Sequence, residues 1–483
     1  MNQVFTFSDF PWTEGSFSTN SEDISKAGQD FGQIILTHPI GVLKPKEITD
    51  ICNIVRYAAQ NQLKLIPRGM SHSAFGQSQC HGGIVIDMTS FNRILSKDYS
   101  SGSAWVNVEA GCTWNKLIKS TIEDRYSPFV TTDWQFITVG GTLSTGGVGF
   151  MSYQKGLQTD NVLELDVVTG RGEVKICSLE SNQRLFHAVR SGLGQFGIIA
   201  RAKVKLGYAP SDLKIIQFFH TDSKLYLQDI QRLVDQQYFD CIHSFIIPNQ
   251  LKAIEERIGQ NKTLEYKEVI TNLIAQPQQW IYFTELGKCS ADYSKSHLEG
   301  LNQFANFVLL SQANFFDYLH KDPPLITAEK RQGKLTHPEL TLIMPEHNLH
   351  EFMSELLLEL TYDLMGGGTV LLIPLIRDQL STPLFQTPAT NSLFFVGILR
   401  NAPLNETELI DRQTQQNLVI YEKAVNFGGN RYPCDSIPKP GSPSEWAEHF
   451  GVDKWQEICE LKAEFDPENL FISNLNMFGG ALN

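Results

Sequence analysis

RGMSHSAFGQ, residues 68–77, follows the short apolar run KLIP (64–67) and breaks it with glycines, serines and one imidazole. GGIVIDMTS (82–90) comes next and reads as a buried strand rich in β-branched residues. The decade therefore sits at a strand end. Glycine and small serine side chains there let main-chain N–H groups approach an anionic diphosphate. A lone histidine is ordinarily a surface imidazole. His72, held between two serines at the mouth of a ligand loop, is instead a candidate functional group.

Upstream, Pro45 opens a helical stretch whose Ile48, Ile51, Val55 and Ala58 share one face. SAWVNVEAGCTW (103–114) reads as a strand entering a helix, so residues 33–120 are expected to form one small α+β unit. Residues 1–27, polar and serine-rich, read as a loose arm. TVGGTLSTGGVG (138–149) carries five glycines and reads as a second ligand-cradling loop. NVLELDVVT (161–169), EVKIC (173–177), the helix NQRLFHAVRS (182–191) and GIIARAKVKLG (197–207) complete a second unit over 131–208. GLGQFG (192–197) matches GxGxxG, but a helix precedes it and a strand follows. A dinucleotide fingerprint needs the reverse order, so a nicotinamide cofactor is not implied.

Beyond about residue 209 glycine thins out. Helices such as SKLYLQDIQRLVDQQ (223–237) alternate with strand-like IHSFIIP (242–248), QQWIYFTELGK (278–288), TVLLIPLI (369–376) and SLFFVGILR (392–400). This predicts an antiparallel sheet flanked by helices. Residues 433–483 are expected to return to the first domain. The fold class is thus α+β in two domains: 1–208 with 433–483, and a substrate (cap) domain over 209–432.

At 483 residues the chain exceeds one compact domain, and 42% hydrophobic content supports large cores. A formal charge of −13 disfavours nucleic acid and anionic membranes. No window approaches a membrane span, and no leader is evident at the N-terminus. The eight cysteines form no CxxC pair. A reducing, cytoplasmic location and a monomer are the default expectations. Asn261–Thr263 and Asn405–Thr407 match a glycosylation pattern that carries no weight without secretion. His337, His347 and His350 cluster in sequence, where a solvated face is expected rather than a metal site. Glu285 is read as an ordinary ion-pair partner.

Taken jointly, these segments resemble the vanillyl-alcohol oxidase-type (PCMH-type) FAD-binding family and, within it, the cytokinin dehydrogenases. That family's RGxGHSxxGQ is here RGMSHSAFGQ, and its TDY-like stretch leading into TVGGTLSNAG is here TDWQFITVGGTLSTGG (132–147). NVLELDVVTGRGE (161–173) and GLGQFGII (192–199) also match, with Ser191 in place of a preceding glycine. The likeness runs on through PLIRD (374–378) and EWAEHFG (445–451).

The resemblance implies FAD bonded covalently through His72. It implies further cofactor contacts from Pro67, Gly69, Met70, Ser71, Ser73 and Gln77, from Thr138, Ser144 and Val148, and from Ile199. Tyr432, Ser473 and Asn476 are the expected contacts near the C-terminal return. No metal is implied. Asp133 matches the catalytic aspartate and stands beside Trp134, where some relatives carry a second covalent link. The implied reaction oxidises a secondary amine, the N6-side chain of an adenine-type cytokinin, to an imine that hydrolyses to adenine and an aldehyde. An alcohol, sugar or other small metabolite is the alternative substrate, and the electron acceptor stays open between oxygen, a quinone and a protein. One departure bears on this: the family's DYVEGF, with its purine-binding glutamate, is here DCIHSF (240–245), which puts His243 at an expected rim position.

Overall fold

The computed structural model describes residues 14–100, 102–258, 264–302, 308–320 and 334–480. The first half of the expected N-terminal arm and the Asn261–Thr263 pattern lie outside these residues. The fold is mixed α+β, as its alternating patterns require.

A four-stranded sheet takes the order Ser16–Ser18, Gly41–Lys44, Ile84–Asp87, Leu65–Arg68. Its last three strands run parallel. The helix Ile48–Asn61 buries Ile51, Ile54, Val55 and Ala58 against it. Part of the expected arm is structured after all. Ser16–Ser18 pairs with Val42–Lys44, and the helix Ser21–Ala27 follows, capped by Asn20. These polar residues are ordered by an edge strand that supplies the missing hydrogen-bond partners, a cue no local pattern carries.

The second sheet has the order Ile94–Asp98, Trp105–Glu109, Ile198–Tyr208, Val162–Val168, Val174–Ser178, with Tyr126–Pro128 also against Ile198–Tyr208. Every pairing in it is antiparallel. This corrects the expected division between the two small units. The strands around residues 94–109 belong to the second sheet, because Val106 and Val108 pair with Val204 and Ala202. Trp446, Phe465 and Phe471 from the chain's end share one core with Ile51, Leu65 and Ile198. Leu65 and Phe471 also form a parallel bridge.

The third sheet has eight strands. Their order is Val308–Asn314, Asp212–His220, Trp280–Cys289, Cys241–Pro248, Thr369–Ile376, Ser392–Leu399, Leu340–Pro345, Asn430–Arg431. One face packs Ile216, Ile242, Leu286 and Leu342 under the helices Ser223–Gln236, Glu346–Glu359 and Thr407–Asn426. The other face carries Ile215, Phe219, Phe245, Phe283, Leu371 and Ile373 into a cluster shared with Val148 and Phe150 of the glycine-rich segment. Period-2 alternation produces these two faces. The second face looks onto the region where the glycine segments meet. No helix among the described residues is long and apolar enough to cross a membrane.

Candidate active site

Three glycine-rich segments distant in sequence converge. Gly69 packs so closely on Thr138 that a β-carbon there would collide with Thr138 Oγ1. Gly194, at φ +71°, has Pro67 Cγ 3.5 Å from its would-be β-carbon, and Gly76 abuts the side-chain amide of Asn474. About half of 138–149 is not loop, as expected, but a short helix, Val139–Leu143, capped by Thr138 Oγ1 accepting from Gly141 N. A second helix, Ser152–Lys155, intervenes before the strand at Val162. Glycine composition conceals these turns because glycine penalises helices in isolation. The side chain of Ser144 donates to Gly140 O at 2.8 Å. Gly147 N donates to the Tyr432 hydroxyl at 3.4 Å, and that hydroxyl donates to Thr145 Oγ1 at 3.1 Å. Val148 and Ile199 are buried beside them.

In the first decade, Ser71 adopts φ +55°, a left-handed conformation that costs a non-glycine residue energy. Its carbonyl accepts from Phe31 N at 2.8 Å, and its hydroxyl lies 2.5 Å from Ser78 Oγ. Asp30 accepts from Ser73 Oγ at 3.0 Å and from Gly76 N at 2.6 Å, pinning the turn from beneath. Burial lifts the Asp30 carboxyl to about 6, although those hydrogen bonds pull the other way. The amide of Gln77 donates to Asp435 O at 2.7 Å, so the loop is tied to the chain's C-terminal return. Met70 and His72 project outward and are exposed. The His72 ring rests 4.1 Å from Phe31 and lies near-parallel to Trp134, with centroids 6.4 Å apart.

Asp133, next to Trp134, is half-buried. Gln135 donates its amide to Leu319 O on the helix Phe315–His320, so this segment is bonded directly to the cap. Arg257, on the helix Leu251–Ile258, lies with its guanidinium 3.6 Å from the Phe245 ring centroid. Burial lowers its pKa to about 10, while the negative charges of Asp133 and Glu285 oppose that fall. Burial and the charges of Glu285 and Asp133 push the Tyr318 phenol well above its ordinary range. The two carboxylates, Arg257 and Tyr318 therefore form one electrostatic group.

His243 is not a rim residue. It is buried, stacks on Phe150 at 3.9 Å, and sets Nε2 3.4 Å from Glu285 Oε1. Glu285 does pair as expected, but at 2% exposure on the cap sheet's inner face. Periodicity gives no sign of which buried face an ionisable residue serves. Near the C-terminus, Ser473 Oγ accepts from Leu475 N at 3.2 Å and the Asn476 amide donates to Gly441 O at 3.1 Å. It is Asn474, missed in the sequence reading, that meets the first loop at Gly76. His337 is buried, contrary to the solvated face expected, with its ring stacked on Phe31 at 4.0 Å and Nδ1 3.1 Å from Asn401 Oδ1. His350 Nδ1 lies 2.8 Å from Ser223 Oγ. Among the described residues no group of side chains could hold a metal ion. All eight cysteines are free thiols.

A FAD-binding domain model matches residues 39–178. A model described as cytokinin dehydrogenase 1, FAD and cytokinin binding, matches residues 210–478. The chain belongs to the cytokinin dehydrogenase FAD- and cytokinin-binding family. Its relatives include an uncharacterized oxidoreductase of the fasciation locus of Rhodococcoides fascians, 32% identical over 96% of this chain and 99% of that protein. Cytokinin dehydrogenase 3 of Arabidopsis thaliana is 28% identical over 96% of this chain and 90% of its own length. Cytokinin dehydrogenase 5 of the same plant is 29% identical, over 96% and 89%.

Membership makes the chain an FAD-dependent oxidoreductase, and the cleft fits that cofactor. Ser191 Oγ is buried without a hydrogen-bond partner among the described residues, 3.5 Å from the position of a β-carbon on Gly146. A ligand heteroatom at the glycine segments would satisfy it.

Proposed function

We propose that the enzyme oxidises the N6-side chain of an adenine-type cytokinin, with FAD tethered through His72 and with Asp133 as the base. The observation that supports this reading is the near-parallel approach of Trp134, the residue next to Asp133, to His72, with 6.4 Å between centroids. Pro67, Gly69, Met70, Ser71, Ser73, Gln77, Thr138, Ser144, Val148, Ile199, Tyr432, Ser473 and Asn476 would hold the cofactor, and Asn474 joins them through its contact with Gly76.

When bound, the flavin supplies the acceptor for the electron pair of the substrate C–H bond next to nitrogen. The carboxylate of Asp133 takes the amine N–H proton as positive charge develops on that nitrogen. The apolar inner face of the cap sheet excludes water while this happens. The imine released then hydrolyses to adenine and an aldehyde.

Two measurements test the reading. Purified enzyme denatured in acid is expected to retain its yellow colour on the polypeptide, and colour in the supernatant would refute the tether. N6-isopentenyladenine with a dye acceptor is expected to release adenine. Absence of adenine together with an unbleached flavin would refute the substrate.

A further inference from the structure

The cap sheet's inner face is apolar in nearly every row. Ile215 and Phe219 flank Gln217 on one strand, Phe283 and Gly287 flank Glu285 on the next, and Cys241 and Phe245 flank His243 on the third. Gln217 pairs in register with Glu285, and Glu285 with His243. The row continues through Ile373 to Phe395. The polar residues therefore form one contiguous bar across three strands. Gln217 Nε2 donates to Glu285 Oε2 at 2.7 Å, and His243 Nε2 lies 3.4 Å from Glu285 Oε1.

Such a bar is weak evidence for a role in stability. Burying a carboxylate costs several kcal/mol even when paired, and apolar residues of like volume commonly serve as well or better. The three neighbouring side chains that hold or face Glu285 come from separate elements. Gln217 and His243 belong to flanking strands, while Tyr318 lies on the helix Phe315–His320, whose Leu319 carbonyl is bonded to Gln135, two residues from Asp133. Both Tyr318 and Arg257 sense Glu285 and Asp133 together. A ligand lying between the cap face and Asp133 would meet aromatic and aliphatic walls, the Arg257 guanidinium and the Tyr318 phenol, and the oriented Glu285 carboxylate.

We propose that Glu285, oriented by Gln217 and His243, determines specificity by accepting an N–H from a planar nitrogen heterocycle whose side chain extends toward Asp133. This deepens the cytokinin reading and rests on it for the orientation of the ligand. It assigns heterocycle recognition to Glu285, with Gln217 and His243 as positioning residues. A purely apolar pocket would favour hydrocarbon rings, whereas an oriented buried acceptor rejects rings that lack the donor.

The test is equilibrium binding to the flavin-loaded full-length enzyme, read as a flavin difference spectrum. The probes are adenine and 4-aminoindane, a bicycle of equal size without ring nitrogens. Wild type is expected to bind adenine at least tenfold more tightly, and Glu285→Gln to narrow the ratio to under threefold by weakening adenine alone. Equal wild-type affinities overturn the proposal whether or not the variant folds. So does an unchanged ratio in a variant with normal flavin content. If Glu285→Gln abolishes the preference yet no N6-substituted adenine bleaches the wild-type flavin, the subsite stands and the substrate reading falls. If cytokinin turnover is normal but the binding ratio ignores Glu285, the reverse holds.

Discussion

The side-chain oxygen of Thr138 fills the space that a β-carbon on Gly69 would require. Two segments about seventy positions apart thus approach as backbone against a hydroxyl, and in the proposed site this contact would set how closely the two cofactor-holding segments approach. Gly69→Ala forces one of them back. Overpacking of this kind costs about 1–3 kcal/mol. The variant is expected to fold while retaining only a minor fraction of wild-type flavin, read as the ratio of visible to ultraviolet absorbance. Full loading would mean the contact is slack.

Ser71 pays a conformational penalty at φ +55° where the resembling family has glycine. Ser71→Gly relieves about 1–2 kcal/mol of that strain and loses a hydrogen bond to Ser78 worth about 1 kcal/mol, so little net change in stability is expected. Ser71→Val keeps the strain, adds a β-branched clash and loses the bond. It should unfold at clearly lower denaturant concentration than either. Equal midpoints for the valine and glycine variants would show that the turn has another conformation in solution.

Asp133→Asn preserves shape but cannot take the amine proton. Substrate-driven bleaching of the flavin should slow by about 10²–10⁴-fold, with flavin content unchanged. Stopped-flow absorbance measures this directly, and an unaltered rate would remove Asp133 from the chemistry.

Asp30 gives a pH signature. Burial lifts its carboxyl from 3.8 to about 6, so between those values the folded chain keeps a proton that the unfolded chain has released. Its contribution to stability is complete below the unfolded value and falls as pH rises through about 6. Asn at this position does not titrate. The stability difference between wild type and Asp30→Asn should therefore shift toward the variant by about 2 kcal/mol from pH 4 to pH 7.5. Denaturant unfolding at the two pH values measures the shift, and a constant difference would show that the site is open to water.

Much of the fold could be read from local patterns, because strands such as Thr369–Ile376 and Ser392–Leu399 and helices such as Ser223–Gln236 announce themselves by composition and period. The helix Val139–Leu143 did not, since its glycines are tolerated only through the Thr138 cap and the packing of Gly140 on Ala110. Nor did the partition of the two small sheets, which depends on which edges pair across ninety or more residues.

The α+β class, the glycine segments and the candidate His72 were legible in the chain, because they rest on short spacings and on side-chain chemistry that local order preserves; the flavin and Asp133 were implied through the family resemblance. That Gly69 meets Thr138, that Asn474 rather than a neighbour reaches Gly76, and that Gln217, Glu285 and His243 form one bar emerges only in the folded chain. Those relationships come from strand register and the approach of distant backbones. Both are set by the sum of packing over whole sheets, which no local window of sequence contains.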